Sequence, residues 1–479
     1  MSTSLVAKFQ IRLIQFMLFN SLEFLVFFII TTSLFFLLKH QYRWLLLLLA
    51  SCYFYMVFKP IYILILAFTI VIDYFAGIAI EKQEKQHNKK LLLILSLVAN
   101  LGILIVFKYW NFLAENLNFF IGTEKNENLI PFLNILLPIG LSFHTFQAMS
   151  YTIEVYRGNQ KAEKHFGIYA LYVMFYPQLV AGPIERPQNV LHQFHKKMNF
   201  SYANFKTGFI LIFIGLFKKI FIADRLGSYV DSYYNNLDYL SFIPSVSAAI
   251  FYSLQIYCDF SGYSSIAIGT AKCMGFNLMK NFNTPYQAAS ITDFWRRWHI
   301  SLSTWFRDYV YIPLGGNKGT KSTTIRNISI VFLLSGVWHG ANWTFIVWGA
   351  IHACLLILEQ LFISKKINTI QPTIWRKLLV FSLVTLAWIF FRSKDFNQAF
   401  QVLKNIFSFQ FNLEINQISA FISPLNMLLC WICIPLLFLI DNIKFSTYRK
   451  HLLAFLVAGT LLIITLGKSN EAAFIYFQF

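Results

Sequence analysis

Asn327 to Leu358 is a run of 32 consecutive residues without Asp, Glu, Lys or Arg, and it is one of a series. A helix that crosses a bilayer needs about 20 mostly apolar residues. Charge-free or nearly charge-free stretches also run over 24–38, 44–58, 61–80 (interrupted by Asp73), 91–107, 130–153 and 166–184. Beyond these lie 239–258, 378–391, 415–440 and 451–467, and 207–223 joins them if Lys218 and Lys219 snorkel or face protein. If the 32-residue run is one broken helix or two, the chain holds roughly eleven to thirteen membrane segments. The expected fold is an all-α polytopic membrane protein, with residues 1–479 as a single domain.

Composition agrees, since 57% of the 479 residues are apolar and 13% charged, where soluble chains carry about 25% charged residues. Disorder is excluded by the same hydrophobicity. The 40 Lys and Arg against 21 Asp and Glu give a net charge of +19. A nucleic-acid partner would need that charge gathered on one soluble face, and here it is scattered between spans. Cytoplasmic loops favour Lys and Arg. Glu81 to Lys90 (EKQEKQHNKK) is therefore read as an inside loop, and Asn111 to Leu129, with Glu115, Glu124 and Glu127 against Lys125, as an outside one. The first apolar run after Lys8 and Arg12 lacks a small-residue cleavage site and reads as a signal anchor. The six scattered cysteines offer no disulfide framework, and the CWIC string of Cys430 and Cys433 has no second ligand pair, so no metal is expected.

An ionisable residue among spans is a functional candidate by default. Asp73 and Glu154 sit near segment ends, where structural pairing is the plainer role. Asp259, in IYCDFSGYSS, lies among Ser261, Gly262, Ser264 and Ser265, which suits either close packing or a wet cavity. Thr292 to Tyr311 places Trp295, Trp298, Leu302, Trp305 and Tyr309 at helical spacing, beside a polar stripe of Arg296, His299 or Ile300, Ser303 and Arg307. The spacing predicts one amphipathic helix, capped by Thr292 with Asp293 in its first turn and stopped at Pro313, Gly315 and Gly316. It is too polar to span, so it lies at the interface or lines a cavity. The following IPLGGNKGT lacks the phosphate-loop spacing and is read as a turn.

His339, inside the 32-residue run, is flanked by Gly336 and Gly340, which permit close backbone approach and a helix break. An imidazole held there can transfer protons, pack, or ligate a cofactor. His352 is thirteen residues on, over three turns away, so the two do not make a sequence-local metal pair.

The strings DFWRRWHISLSTWFRDYVYIPLGGN (Asp293 to Asn317) and SGVWHGANWTFIVWGAIHA (Ser335 to Ala353) resemble the membrane-bound O-acyltransferase family, and within it the bacterial alginate O-acetyltransferase AlgI group. LPIGLSFHTFQAMSYTIEVYRG (Leu137 to Gly158), FYPQLVAGPIERP (Phe175 to Pro187), Ile256 to Tyr286 and the ending FIYFQF support it, with the specific core over 137–353. The resemblance implies helices around a central funnel and tunnel. It places the family's WHG histidine, the expected catalytic group, at His339 and the second family histidine at His299. Trp298, Trp338, Asp293, Asp259 and Asn342 are then tunnel or supporting residues. Arg296 and Arg297 are candidates for donor phosphates, although Asp293 and Arg297 at i, i+4 can simply pair. No bound cofactor is implied. The donor is expected to be acetyl-CoA or another acyl thioester, and the acceptor a polysaccharide outside a bacterial cytoplasmic (inner) membrane. No hydrolase domain is present in the chain, so an extracytoplasmic hydrolase-like acetyltransferase partner is expected. Two other readings are a D-alanyl transfer protein for teichoic acid and a transporter; the latter predicts internal repeats, and none is visible.

Overall fold

The structure, a computed structural model, describes residues 17–122, 129–180, 182–237, 241–363, 372–409, 423–442, 452–467 and 474–475. Lys8, Arg12, Glu124, Lys125, Glu127 and most of the FIYFQF ending lie outside them. The described residues are helical, with no strand among them. In chain order the helices are α1 (Leu22–Leu37), α2 (His40–Met56), α3 (Ile63–Lys82), α4 (Gln86–Leu104), α5 (Trp110–Ile121), α6 (Leu141–Tyr156), α7 (Phe166–Met174), α8 (Pro187–Phe194), α9 (Tyr202–Leu216) and α10 (Asp224–Tyr234). They continue as α11 (Phe242–Cys273), α12 (Ile291–Arg297), α13 (Ile300–Phe306), α14 (Lys321–His339), α15 (Trp343–Ile363), α16 (Ile374–Arg392), α17 (Phe396–Phe407), α18 (Pro424–Asn442) and α19 (Leu452–Leu466).

Among the described residues, five helical stretches are long and apolar enough to cross a bilayer: Pro60–Lys82, Gln86–Ile121, Trp343–Phe362, Ile374–Arg392 and Pro424–Asn442. Their outer faces leave large apolar side chains exposed, among them Leu64, Phe68, Phe75, Leu95, Val98 and Leu379. Water would penalise such a surface and lipid does not.

The chain forms two compact units, Met1–Ile212 with Ser264–Met279, and Phe213–Tyr263 with Lys280–Phe479. In the first, Asp73 on α3 is fully buried and accepts hydrogen bonds from Ser96 Oγ (2.6 Å) and Asn100 Nδ2 (2.9 Å) of α4. Neutral donors from the neighbouring helix therefore satisfy it. Glu154 accepts from Gln188 Nε2 at 2.6 Å, Asn159 Nδ2 at 3.0 Å and Arg157 at 3.2 Å.

Among the described residues, three of the apolar runs do not form one continuous helix. Residues 131–138 precede α6 without regular secondary structure, because Pro131 and Pro138 interrupt helix and Gly140 turns at φ 70°. The polar groups of that segment are taken up by α5: Asn118 exchanges two 3.0 Å bonds with the Ile130 backbone, and Asn111 bonds both the N–H and the carbonyl of Leu133. The 166–184 run breaks after Met174, ahead of Pro177. By contrast, the 239–258 run grows into the 32-residue α11. The 32-residue run splits into α14 and α15 at Gly340–Asn342.

In the second unit α14 and α15 pack closely. A Cβ on Gly336 would stand 2.4 Å from the Phe345 carbonyl oxygen, and one on Gly349 2.3 Å from that of Phe332. Small residues at these two places let the backbones touch. Ahead of α10 the chain widens into a π-helical turn at Phe217–Ala223 that turns Lys218 and Lys219 into protein. Lys219 Nζ lies 2.8 Å from Asp224 and 2.7 Å from Asp259, and Lys218 Nζ lies 2.7 Å from Asp441.

Candidate active site

The expected single helix over 292–311 is broken at its centre. α12 ends at Arg297, Trp298 is extended (φ −96°, ψ 128°), and His299 takes the left-handed conformation (φ 41°, ψ 56°) before α13 begins. Loop 281–283 supplies the reason. Asn283 N–H donates to the Arg297 carbonyl at 2.9 Å, and Ile300 N–H donates to the Asn281 carbonyl at 2.8 Å, so these backbone groups are satisfied outside a helix. The start also differs: Ser290, not Thr292, caps α12, its side chain accepting from Asp293 N–H. Thr292 instead bonds Glu359 of α15, whose carboxylate accepts from Ile291 N–H (2.6 Å), Thr292 N–H (2.9 Å) and Thr292 Oγ1 (2.5 Å). A carboxylate at a helix N-terminus is favoured by the orphan N–H groups and the dipole there.

His299 is 1% exposed, and its Nδ1 lies 3.2 Å from Asn281 Oδ1. That oxygen also accepts from Ser301 N–H at 3.2 Å and Ser301 Oγ at 2.9 Å. A backbone N–H can only donate, so the Asn281 atom facing it is the oxygen, and Nδ1 of His299 must carry the proton. The tautomer leaves Nε2 as the acceptor nitrogen. Burial pushes the imidazole down to about 3, which keeps the ring neutral at ordinary pH. Phe260 stands edge-on at 4.6 Å and Trp338 at 6.1 Å.

His339 is the last residue of α14 and 2% exposed. Trp338 and Trp348 stand 4.9 Å from it and Phe391 5.2 Å, all near-perpendicular. Trp388 of α16 stacks on Trp348 at 5.5 Å and lies 5.0 Å from Trp298. The two histidines thus flank Trp338 within one aromatic enclosure. Trp298 and Trp338, singled out from sequence, belong to it; Trp348, Trp388, Phe391 and Asn281 were not singled out. Trp348 lies within the second quoted string and Asn281 within the supporting stretch Ile256 to Tyr286, while Trp388 and Phe391 carry no local signal that separates them from core.

The other sequence candidates lie elsewhere. Arg297 bonds Asp293 at 2.7 Å, and Arg296 is exposed. Asn342 caps the start of α15, accepting from Thr344 N–H at 3.0 Å and donating to the Lys394 carbonyl at 2.8 Å. Asp259 reaches the enclosure only through its neighbour Phe260; its carboxylate bonds Lys219 and the Ile475 N–H (2.7 Å), and Phe474 packs 5.7 Å from Phe260. The 312–320 turn is held by Asn327, which donates to the carbonyls of Leu314 (3.1 Å) and Gly316 (2.9 Å).

The model of the membrane-bound O-acyltransferase family matches residues 51–396. The chain belongs to the membrane-bound O-acyltransferase family. It is therefore a multi-pass membrane O-acyltransferase that draws on an acyl donor, and both histidines fall inside the matched span. Among relatives, the protein named peptidoglycan O-acetyltransferase of Helicobacter pylori is 38% identical over 75% of this chain and 73% of its own length. The protein named probable alginate O-acetylase AlgI of Azotobacter vinelandii is 40% identical over 82% and 78%. A more distant family member, the teichoic acid D-alanyltransferase of Bacillus subtilis, is 29% identical over 63% and 78%.

Proposed function

We propose that this acyltransferase is an O-acetyltransferase of the bacterial cytoplasmic membrane, which takes acetyl groups from a cytoplasmic thioester, acetyl-CoA, for O-acetylation of an envelope polysaccharide outside. Residues 1–479 act as one membrane domain, with the reaction-specific residues between 137 and 353. The observation that carries this reading is the pair of buried histidines on either side of Trp338. The relatives' acetyl chemistry supports the choice of acyl group over D-alanine, and the acceptor is a glycan such as alginate or peptidoglycan. A separate hydrolase-like protein outside the membrane receives the acetyl group and completes delivery.

His339 is the base or the direct acyl-transfer group. As base it takes the acceptor's hydroxyl proton while that oxygen bonds the thioester carbonyl carbon. The tetrahedral oxyanion then collapses, the carbon–sulfur bond breaks, and the proton passes to the leaving thiolate. His299, whose Nε2 is an acceptor, holds the incoming hydroxyl by receiving its hydrogen bond. Trp298 and Trp338 exclude water. Asp293 keeps Arg297 engaged, so Arg296 is the freer candidate for donor phosphate. His339→Ala is expected to lower envelope ester-acetate by at least about 100-fold with membrane insertion unchanged. Wild-type acetate in that strain would overturn the assignment.

A further inference from the structure

We infer that His352 is a substrate-binding residue which, with the indole of Trp348, holds the carbonyl oxygen of the acyl group beside His339. His352 lies one turn after Trp348 on α15, and both are fully buried. Its ring stands 4.9 Å from Trp295 and 5.0 Å from Trp348, and those two indoles are 5.9 Å apart. Three polar rings therefore close one triangle, and Trp348 is at the same time the 4.9 Å neighbour of His339.

Neither ring nitrogen of His352 has a hydrogen-bond partner among the described residues, and the same holds for Nε1 of Trp348 and of Trp295. Buried polar atoms are almost always bonded, so several unbonded nitrogens on rings packed against one another call for an occupant. An indole N–H only donates, and a neutral imidazole offers one donor and one acceptor. Donors predominate, so the complementary ligand atom is an oxygen with free lone pairs. Glu359, two turns further along α15, is not that oxygen, because it is committed to Ile291 and Thr292. A residue serving only to pack against Phe294, Trp295 and Trp348 would gain nothing from two nitrogens, and phenylalanine would fill the same ring space at no polar cost. In an acyltransferase the oxygen that needs donors is the acyl carbonyl, on which negative charge grows during transfer.

The inference rests on the assignment of His339 as the transfer residue, and the test separates the two. Full-length protein with His352→Phe, His352→Gln or His339→Ala is compared with wild type in cells for envelope ester-acetate, with membrane abundance and detergent melting as controls. In nanodiscs the same proteins receive [1-13C]acetyl-CoA, and the infrared carbonyl stretch is recorded. We expect His352→Phe to lose about 100-fold in acetylation at normal abundance while His352→Gln, which still donates, retains most of it. The bound carbonyl band should shift to lower wavenumber in wild type, His352→Gln and His339→Ala, but not in His352→Phe. Wild-type acetylation by the Phe variant, equal losses in Phe and Gln, or an unshifted band with wild-type protein would each overturn the role of His352. Full acetylation by His339→Ala together with an intact Phe/Gln contrast would instead sink the catalytic assignment and leave the carbonyl site standing.

Discussion

At His299 the backbone and the side chain make separate demands. A left-handed conformation disfavours side chains with a Cβ, with Asn, Asp and His among the residues that tolerate it best, and the ring must also meet Asn281. Because burial holds the folded imidazole at about 3 against an ordinary value near 6.5, an unfolded chain takes up a proton that the folded site refuses once pH falls below about 6.5. Stability from this group is thus present above that pH and is lost as pH falls toward 3. His299→Asn, which keeps the backbone preference, should flatten the decline in detergent melting between pH 7 and 5 by up to about 1.4 kcal/mol per pH unit. An unchanged slope would count against a neutral buried ring. Both histidines were legible in the sequence because each sits in a distinctive string. Trp388 and Phe391 were not, and Asn281, though inside a quoted stretch, shows its role only through its bonds to His299 and Ser301, because such meaning depends on tertiary neighbours.

At the scale of elements, the break between α14 and α15 falls beside Gly340, where the sequence allowed one, whereas the unbroken helix expected over 292–311 is not what forms. Periodicity reads local propensity alone, and loop 281–283 outbids it by satisfying the backbone at the break. The same blindness hid Glu359, which fixes the start of α12 from 67 residues away. α15 thus carries Trp348 against His339, His352 against Trp295 and Glu359 against α12 on one rigid rod. Its closeness to α14 matters accordingly. Gly336→Ala or Gly349→Ala must push the two backbones apart, at a cost of about 1–3 kcal/mol. Each should lower the detergent melting point and cut acetate transfer, measured on equal amounts of inserted protein. An alanine at either position with wild-type melting would show that the helices do not meet at this spacing in the membrane.

For the whole molecule, composition identified the class, and five of the apolar runs hold a helix long and apolar enough to cross a bilayer, but hydropathy does not show where helix stops inside a run. Pro131, Pro138 and Pro177 end or delay helices within runs that hydropathy treats as uniform. Loop charge predicts that Glu81 to Lys90, of which only 83–85 lie outside helix, faces the cytoplasm and that Asn111 to Leu129, which includes Gly122, faces outward. A cysteine placed at Lys85 should react with an impermeant maleimide only after permeabilisation, and one at Gly122 in intact cells; the reverse pattern would invert the topology. Lys218 and Lys219 bear on how such a chain is made. Their carboxylate partners are Asp224 and Asp259, a short way downstream, and Asp441, 223 residues later. During synthesis Lys218 is therefore made long before its counter-charge. Any chain cut short before Asp441 keeps that cation unmatched, which makes the C-terminal helices a condition for the stability of the middle of the protein rather than an appendage to it.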